Sequence, residues 1–271
     1  MDFAQEITAC SLVFLDLETT GLNPGGHAVC EVGAVRMNRQ KIQDEYCRLV
    51  NPGRNIPHEV YSIHGISNDD VRGAPAFWEM AGEMMDFLSQ PNTVICAYNA
   101  PFDISFIDEE LNRAGMRQVE LPVLDVLAAC RDAFQLPRYS LKIAAQSLGV
   151  ECRQKLHRAR QDVMATAGVF WRVHDALREK GLIKLGDWLS LYGWPNGVWR
   201  RLQEEKTATI QDAIEEQFAL RIKYFSRHGL REEDLMPTGF LSRTKNQYVL
   251  FGTKDRRIRL GRILRAQAVP R

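Results

Sequence analysis

The chain has 271 residues, 45% of them apolar and 25% charged. That length allows one large domain or two unequal ones, and no apolar run approaches the roughly 20 residues of a membrane span, which argues against a membrane protein. The formal net charge is +1, but it is unevenly distributed: residues 1–220 hold 22 Lys and Arg against 30 Asp and Glu, whereas residues 221–271 hold 13 Lys and Arg against 4 Asp and Glu. This asymmetry predicts an acidic, metal-binding body joined to a basic part that binds a polyanion.

The first predicted element is a strand over residues 11–17, whose large apolar side chains are typical of a strand buried on both faces. Asp16 falls within this run, where a carboxylate is costly unless it is paired or binds a cation. Asp16 and Glu18 are two residues apart, so on a strand they leave the same face and offer the oxygen ligands that magnesium or manganese prefers. The pair alone is equally compatible with a Glu18 that has reached a solvated turn capped by Asp16.

The elements that follow predict an α/β layer. Strands over 28–37 and 45–50 are joined by short turns, so the first three strands should form an antiparallel meander. Strands are then predicted over 93–98 and 122–127, and helices over 57–63, 75–88, 101–114, 140–148 and 160–179. The predicted fold class is therefore α/β, with a mixed five-stranded sheet flanked by helices.

The last third of the chain has a different composition. Residues 182–208 are rich in tryptophan and glycine, and we expect an aromatic-rich linker that packs on another element. A helix over 209–220 and short strands over 221–225, 239–241 and 248–251 predict a small β-barrel or sheet. The predicted domains are thus 1–181, 182–208 and 209–271.

Three further ionisable residues lie at the ends of predicted elements. Asp103 follows the fourth strand, His157 precedes the last long helix, and Asp162 lies just inside that helix. Because ligands collect at strand ends and helix starts along one edge of an open α/β sheet, we expect them to meet Asp16 and Glu18. Four carboxylates there would repel each other without a cation, and two divalent ions would make them a site for phosphoryl transfer. Taken singly, His157 is more typical of a surface histidine, and Asp162 of an acid that stabilises a helix N-terminus.

Four short motifs, in this order, carry a resemblance to the DEDDh 3′–5′ exonucleases, the group that includes the polymerase III epsilon proofreading subunit and ribonuclease T. They are D-L-E-T-T-G at 16–21, V-Y-S-I-H-G-I at 60–66, N-A-P-F-D at 99–103 and H-R-A-R-Q-D at 157–162. No single motif is specific, but all of them in order on the expected elements are. The resemblance covers about residues 10–180.

The resemblance implies a ribonuclease H-like fold and two Mg²⁺ or Mn²⁺ ions. Asp16, Glu18 and Asp162 would hold one ion. Asp16 would bridge to the second, which Asp103 would bind directly or through water. His157 would be the general base that removes the proton from the attacking water. By the same resemblance, the terminal sugar and base would be gripped around Thr19, Thr20, Leu22, Asn99 and Phe102.

A second resemblance, over residues 213–264, is to the WYL module, a small Sm-like β-barrel of bacterial regulators. Its matching pieces include residues 220–224, 237–240, 247–251 and 258–263, although Gln247 and Val249 replace the tryptophan and leucine of the motif. Such barrels are thought to bind nucleic acid or nucleotide-like ligands, and cations interleaved with aromatic rings suit a single strand. A solvated basic face with a core of aromatic side chains explains the same pattern equally well. The candidate nucleic-acid-binding residues are Arg221, Lys223, Tyr224, Arg243, Tyr248, Arg257, Arg259 and Arg262.

We therefore expect a 3′–5′ exonuclease that acts on single-stranded DNA or RNA and releases nucleoside 5′-monophosphates. The alternatives are an endonuclease, or a non-catalytic nucleic-acid-binding or ligand-sensing regulator on a nuclease scaffold. Six scattered cysteines without a C-x-x-C pair, and an acidic start without a signal-peptide pattern, favour a cytoplasmic protein over a disulfide framework or a zinc site. No membrane partner is expected, and a homodimer is left open.

Overall fold

In the computed structural model the described residues are 1–151, 158–243, 246–252 and 256–269. The chain divides into two compact units: Thr8–Asp175 together with Met1, and Asp2–Ile7 together with Ala176–Arg271. Among the described helices, none has both the length and the apolar character needed to cross a bilayer.

The first unit is built on a mixed five-stranded sheet, as predicted. Its strands are β1 Ser11–Thr19, β2 Val29–Asn38, β3 Lys41–Leu49, β4 Thr93–Ala97 and β5 Val123–Asp125. The spatial order is β3-β2-β1-β4-β5, with the first three strands antiparallel and with β4 and β5 parallel to β1 and to each other. The predicted meander is therefore confirmed, and β1, the strand that carries the first two acids, lies at the centre of the sheet.

Helices flank this sheet. They are α1 His58–His64, α2 Asn68–Val71, α3 Phe77–Leu88, α4 Ala100–Arg113, α5 Val126–Ala133, α6 Leu141–Ser147 and α7 Ala159–Glu179, the last continuing into the second unit. Central β1 is buried, since Leu12 to Leu15 have no exposed surface and the ring of Phe14 lies 5.4 Å from that of Phe170 on α7. Helix α3, which corresponds to the helix predicted over 75–88, buries Phe77, Met80, Ala81, Met84, Phe87 and Leu88.

The second unit begins with helices in the stretch that was predicted to be a linker. Residues 182–208 contain α8 Leu185–Tyr192 and the first part of α9 Gly197–Glu215. Trp188 on α8 is 1% exposed, and its indole N–H donates to the carbonyl oxygen of Leu182 at 3.3 Å. The aromatic residues that suggested a packed linker therefore include a core side chain of a helix.

Six antiparallel strands complete the second unit. They are β6 Leu220–Ser226, β7 Gly229–Leu235, β8 Pro237–Arg243, β9 Asn246–Phe251, β10 Arg256–Arg259 and β11 Ile263–Ala268. Their apolar core includes Ile222, Val249 and Ile258, together with Ile210 and Ala213 of α9.

The strands of the second unit do not close into the predicted barrel. They form two three-stranded sheets, β10-β9-β8 and β11-β6-β7, and no ladder joins the two sheets among the described residues. The chain changes sheet at two places: at Pro237, which has no N–H to donate to a continuing ladder, and in the 3₁₀ turn Leu260–Arg262 between β10 and β11. Two packed sheets therefore replace the barrel, and the resemblance to the WYL module stays a prediction.

Candidate metal centre

Three carboxylates meet at the centre of the first unit. Asp16 and Glu18 leave the same face of β1, and Asp162 lies in the first turn of α7. One oxygen from each of the three lies within 4.8 Å of the others, and all three residues are half-buried. Among the described residues this is the one group of three or more such side chains whose ligand atoms are close enough to hold a metal ion. Its all-oxygen donor set fits a hard divalent cation such as Mg²⁺ or Mn²⁺.

A glycine on β2 permits helix α7 to approach this closely. Gly33 is the register partner of Asp16, and a Cβ placed on it would lie 2.7 Å from the backbone carbonyl carbon of Ala159. Ala159 is fully buried against the strand. Since Asp162 follows Ala159 by three residues, it lies on the same side of α7 and reaches β1.

An ion pair holds the start of α7 to the same strand. Glu31, which is opposite Glu18 on β2, accepts hydrogen bonds from Arg158 Nη2 at 2.7 Å and Nε at 3.1 Å, and from the backbone N–H of Ala159 at 2.9 Å. Sequence reasoning missed Glu31, although it shows the signal that singled out Asp16, an acid within an apolar strand. Glu31 satisfies an otherwise unpaired helix N–H and places the first turn of α7 beside β1.

Asp103 approaches the three carboxylates from the other side of β1. It lies in the first turn of α4 and is 2% exposed. Its Oδ1 accepts a hydrogen bond from the backbone N–H of Leu17, between the two β1 acids, at 3.2 Å. This contact places the fourth predicted acid against the strand that carries the first two.

The crowding of these acids perturbs their titration. Burial raises the pKa of Asp16 well above its ordinary value, and the nearby charges of Asp103 and Asp162 raise it further. Burial, followed by the charges of Asp162 and Glu31, raises the pKa of Glu18 to about 8. Burial also raises the pKa of Asp103, against the hydrogen bond from Leu17 that lowers it. A divalent cation among them would replace this mutual repulsion with attraction.

Two of the predicted substrate-binding side chains are held within the turn after β1. Thr19 Oγ1 donates to the carbonyl oxygen of Gly21 at 2.6 Å, and Thr20 Oγ1 accepts from the backbone N–H of Ala28 at 3.1 Å. Leu22, next along the turn, is 84% exposed. Two hydrogen bonds thus hold the start of the turn, and Leu22 is its exposed apolar side chain.

The other two predicted substrate-binding residues lie at the start of α4. Asn99 is the N-cap residue in a left-handed conformation, with φ 74°. Phe102 is half-buried, with its ring 5.0 Å from that of Phe106. Both residues are within four positions of Asp103. The start of α4 therefore carries one acid of the site together with two predicted substrate-binding residues. His157, the predicted base, lies outside the described residues.

The candidate nucleic-acid-binding residues of the second unit fall into two groups. Three are engaged by acids on or beside sheet β11-β6-β7: Arg221 by Asp234, Lys223 by Asp187 and Tyr224 by Glu233. Four lie on sheet β10-β9-β8, namely Arg243, Tyr248, Arg257 and Arg259. The last, Arg262, lies in the 3₁₀ turn between β10 and β11.

Comparison with known sequences places the similarity in the first unit. The sequence model of the RNase_T exonuclease family matches residues 13–170. DNA polymerase III subunit epsilon of Rickettsia prowazekii is 34% identical over 165 residues, which cover 58% of this chain and 71% of that protein. The PolC-type DNA polymerase III of Thermotoga petrophila is 33% identical over 177 residues, which cover 65% of this chain but only 13% of that much longer polymerase.

Solved structures extend the likeness of fold. Exonuclease I of E. coli in complex with a dA16 oligonucleotide superposes with a TM-score of 0.62 at 17% identity, covering 89% of this chain and 55% of that one. The nuclease domain of 3′hExo, a DEDDh family member bound to rAMP, gives a TM-score of 0.55 at 17% identity, covering 62% of this chain and 93% of that one. These likenesses confirm the predicted ribonuclease H-like fold.

Proposed function

Because the chain belongs to the RNase_T exonuclease family, whose sequence model covers more than half of it, we propose that it is a divalent-metal-dependent 3′–5′ exonuclease. It removes nucleotides one at a time from the 3′ end of single-stranded DNA or RNA and releases nucleoside 5′-monophosphates. The observation that carries this proposal is the meeting of Asp16, Glu18 and Asp162 within 4.8 Å, with Asp103 hydrogen-bonded to the strand between the first two.

Each carboxylate has a place in this proposal. Asp16, Glu18 and Asp162 would hold one Mg²⁺ or Mn²⁺ ion, and Asp16 together with Asp103 would hold a second. When bound, the ions polarise the scissile phosphate, lower the pKa of the attacking water and stabilise the leaving 3′ oxygen. The site's own acids are arranged for this role because their repulsion disfavours the metal-free, fully ionised state.

His157 is proposed as the base that takes the proton from the attacking water. A histidine that titrates near neutrality suits this task, and such a base typically contributes about 10²–10⁴-fold to the rate. Its partner in the motif, Arg158, is anchored on Glu31, so the chain immediately after His157 is fixed to β2. The terminal nucleotide is proposed to lie between the turn that carries Leu22 and the start of α4.

The rival function is a non-catalytic nucleic-acid-binding or ligand-sensing protein on the same scaffold. That function would not require four carboxylates to be kept at the site, at a cost to the metal-free fold. All four are present, and three of them converge, which supports catalysis. An endonuclease would use the same acids, and it differs in not requiring a free 3′ end.

A shortening assay separates these functions. Matched single-stranded DNA and RNA 20-mers carry a 5′ label and are incubated with Mg²⁺ or Mn²⁺. We expect the wild type to give a ladder that shortens from the 3′ end, with nucleoside 5′-monophosphates as products, and we expect a blocked 3′ hydroxyl to abolish it. Asp16→Ala should remove activity, and His157→Ala should reduce it by about 10²–10⁴-fold. Asp86→Asn, which removes an exposed acid on α3, is the matched control. Activity that survives Asp16→Ala would reject the mechanism, and cleavage of the 3′-blocked strand would identify an endonuclease.

The cysteines support a cytoplasmic location for this activity. None of the five described cysteines forms a disulfide, and four of them are buried. Burial raises the pKa of the Cys10 thiol to about 11, so this side chain behaves as an inert core residue. Such thiols suit a reducing compartment.

A further inference from the structure

One face of the sheet β10-β9-β8 combines cations, an aromatic ring and apolar side chains. Strand register pairs Arg257 with Leu250 and Arg259 with Tyr248, while Leu241 on β8 also pairs with Tyr248. Paired residues of antiparallel strands share a face. The opposite face, which carries Val249 and Ile258, is buried in the core of the unit. The face pointing away from that core, called the arginine face below, carries Leu241, Arg243, Tyr248, Leu250, Arg257 and Arg259.

The charged residues that the structure describes on the arginine face are all arginines. Arg257 and Arg259 are exposed, and neither forms an ion pair with any described residue. Among the described positions that share this face, none is acidic. Arg257 and Arg259 give this face a positive potential, which attracts a polyanion.

On the neighbouring sheet, by contrast, two of the cations are balanced by acids. On or beside β11-β6-β7, Arg221 forms an ion pair with Asp234 at 2.8 Å, and Lys223 forms one with Asp187. These cations are balanced within the fold.

The arginine face also offers a stacking surface. The Tyr248 ring is half-buried, and the guanidinium carbon of Arg257 lies 5.8 Å from its centroid. The half-buried side chains of Leu241 and Leu250 lie beside it. Arg257 and Arg259 occupy alternate positions of β10, about 7 Å apart. A half-buried ring next to two such cations can bind a base by stacking and phosphates by charge.

We propose that the arginine face binds single-stranded nucleic acid, with phosphates at Arg257 and Arg259 and a base stacked on Tyr248. This inference rests on the proposed function, because the strand bound here is the substrate strand. The contact raises the affinity for the strand and takes no part in hydrolysis. Stacking on Tyr248 distinguishes a nucleic acid from an acidic protein, which would use only the arginines.

The test measures the affinity of the full-length chain for a labelled single-stranded 20-mer by fluorescence anisotropy, in EDTA and at 50 to 200 mM salt. Arg257→Gln combined with Arg259→Gln should weaken binding and lower the slope of log K against log salt by about 1.4, since each phosphate contact on a single strand contributes about 0.7. Tyr248→Leu should weaken binding roughly 5- to 150-fold without changing the slope, whereas Tyr248→Phe, which keeps the ring, should bind like the wild type. Arg221→Gln, on the acid-balanced sheet, is the matched control and should change neither quantity.

Three outcomes overturn this inference. The first is wild-type affinity and salt slope in the double arginine variant, and the second is a loss in Arg221→Gln equal to that in the double variant. The third is displacement of the 20-mer by polyglutamate together with wild-type affinity in Tyr248→Leu, which would identify a surface for acidic protein. Cleavage of a dinucleotide separates the two proposals, because its single phosphate is the one that is cleaved and none is left for Arg257 and Arg259. We expect the variants to cleave it at the wild-type rate. A wild type that cannot cleave it or the 20-mer in Mg²⁺, but whose affinity responds as expected, would reject the nuclease function and leave the binding face standing.

Discussion

Replacing Asp16 by asparagine should stabilise the metal-free protein while abolishing its activity. Asp16 lies within 4.8 Å of both Glu18 and Asp162 through one oxygen each. Two unit charges at that distance repel by about 3 kcal/mol at the effective dielectric constant of about 20 that suits protein sites. The three residues are half-buried and their titrations are coupled. Removing the charge of Asp16 should therefore raise the free energy of unfolding of the metal-free protein by no more than about 3 kcal/mol. Asparagine keeps the shape of the side chain and removes the charge.

The effect should depend on pH with a definite sign. The pKa of Glu18 is raised to about 8 in the folded protein from an unfolded value near 4.5, and that of Asp16 is raised as well. The folded state therefore binds more protons than the unfolded state, and the free energy of unfolding of the metal-free wild type falls as pH rises from about 5 to above 8. Asp16→Asn should raise the Tm at pH 8.5 by roughly 6–12 °C, since 1 kcal/mol shifts the Tm of a domain of this size by about 2–4 °C. At pH 5 the gain should largely vanish.

Calorimetry in EDTA and in Mg²⁺ checks this reasoning. Mg²⁺ should raise the Tm of the wild type more at pH 8.5 than at pH 5, and it should raise that of Asp16→Asn little at either pH. Asp86→Asn, the same chemical change at an exposed position of α3, should leave both responses intact. A lower or unchanged Tm for metal-free Asp16→Asn at pH 8.5 would mean that the three carboxylates do not crowd one another in solution.

Three further predictions concern the same site. Gly33→Ala should destabilise the protein by about 1–3 kcal/mol and weaken metal binding, because its Cβ would lie 2.7 Å from the backbone of Ala159. The control Gly82→Ala on α3, whose Cβ meets nothing within 4 Å, should instead stabilise the protein by roughly 0.5–1 kcal/mol. Equal Tm shifts in the two variants would contradict the role of Gly33. The affinity for Mn²⁺ should rise with pH up to about 8, by up to about tenfold per pH unit if one proton leaves Glu18 on binding, and titration calorimetry that finds no pH dependence would contradict the raised pKa. Asp103→Asn should lose activity but keep its free energy of unfolding within about 1 kcal/mol of the wild type, because the amide oxygen can still accept from the backbone N–H that Asp103 now contacts. A large loss of unfolding free energy would show a mainly structural role.

Much of the first unit could be predicted because its signals are local. An apolar run with β-branched residues predicted β1, and 3.6-residue periodicity predicted the helix over 75–88 that the structure shows as α3. The two β1 acids stood out because alternation along a strand puts Asp16 and Glu18 on one face regardless of what packs there. In the second unit, the composition of 182–208 predicts a linker, because hydrophobic periodicity over a helix as short as α8 is a weak signal.

What remained hidden depends on contacts between residues distant in the chain. Glu31 meets Arg158 across 127 positions, and the need for glycine at 33 appears only where α7 crosses β2. The sorting of the basic residues is of the same kind: composition shows an excess of cations after residue 220, but register decides that Arg221 lies opposite Asp234 while Arg257 lies opposite Leu250. Residue type and spacing were thus enough to nominate the acids that could bind a metal and the residues that could bind a strand. Which of these side chains form ion pairs depends on the folded chain, because pairing energies depend on distances of a few ångströms that chain order does not specify.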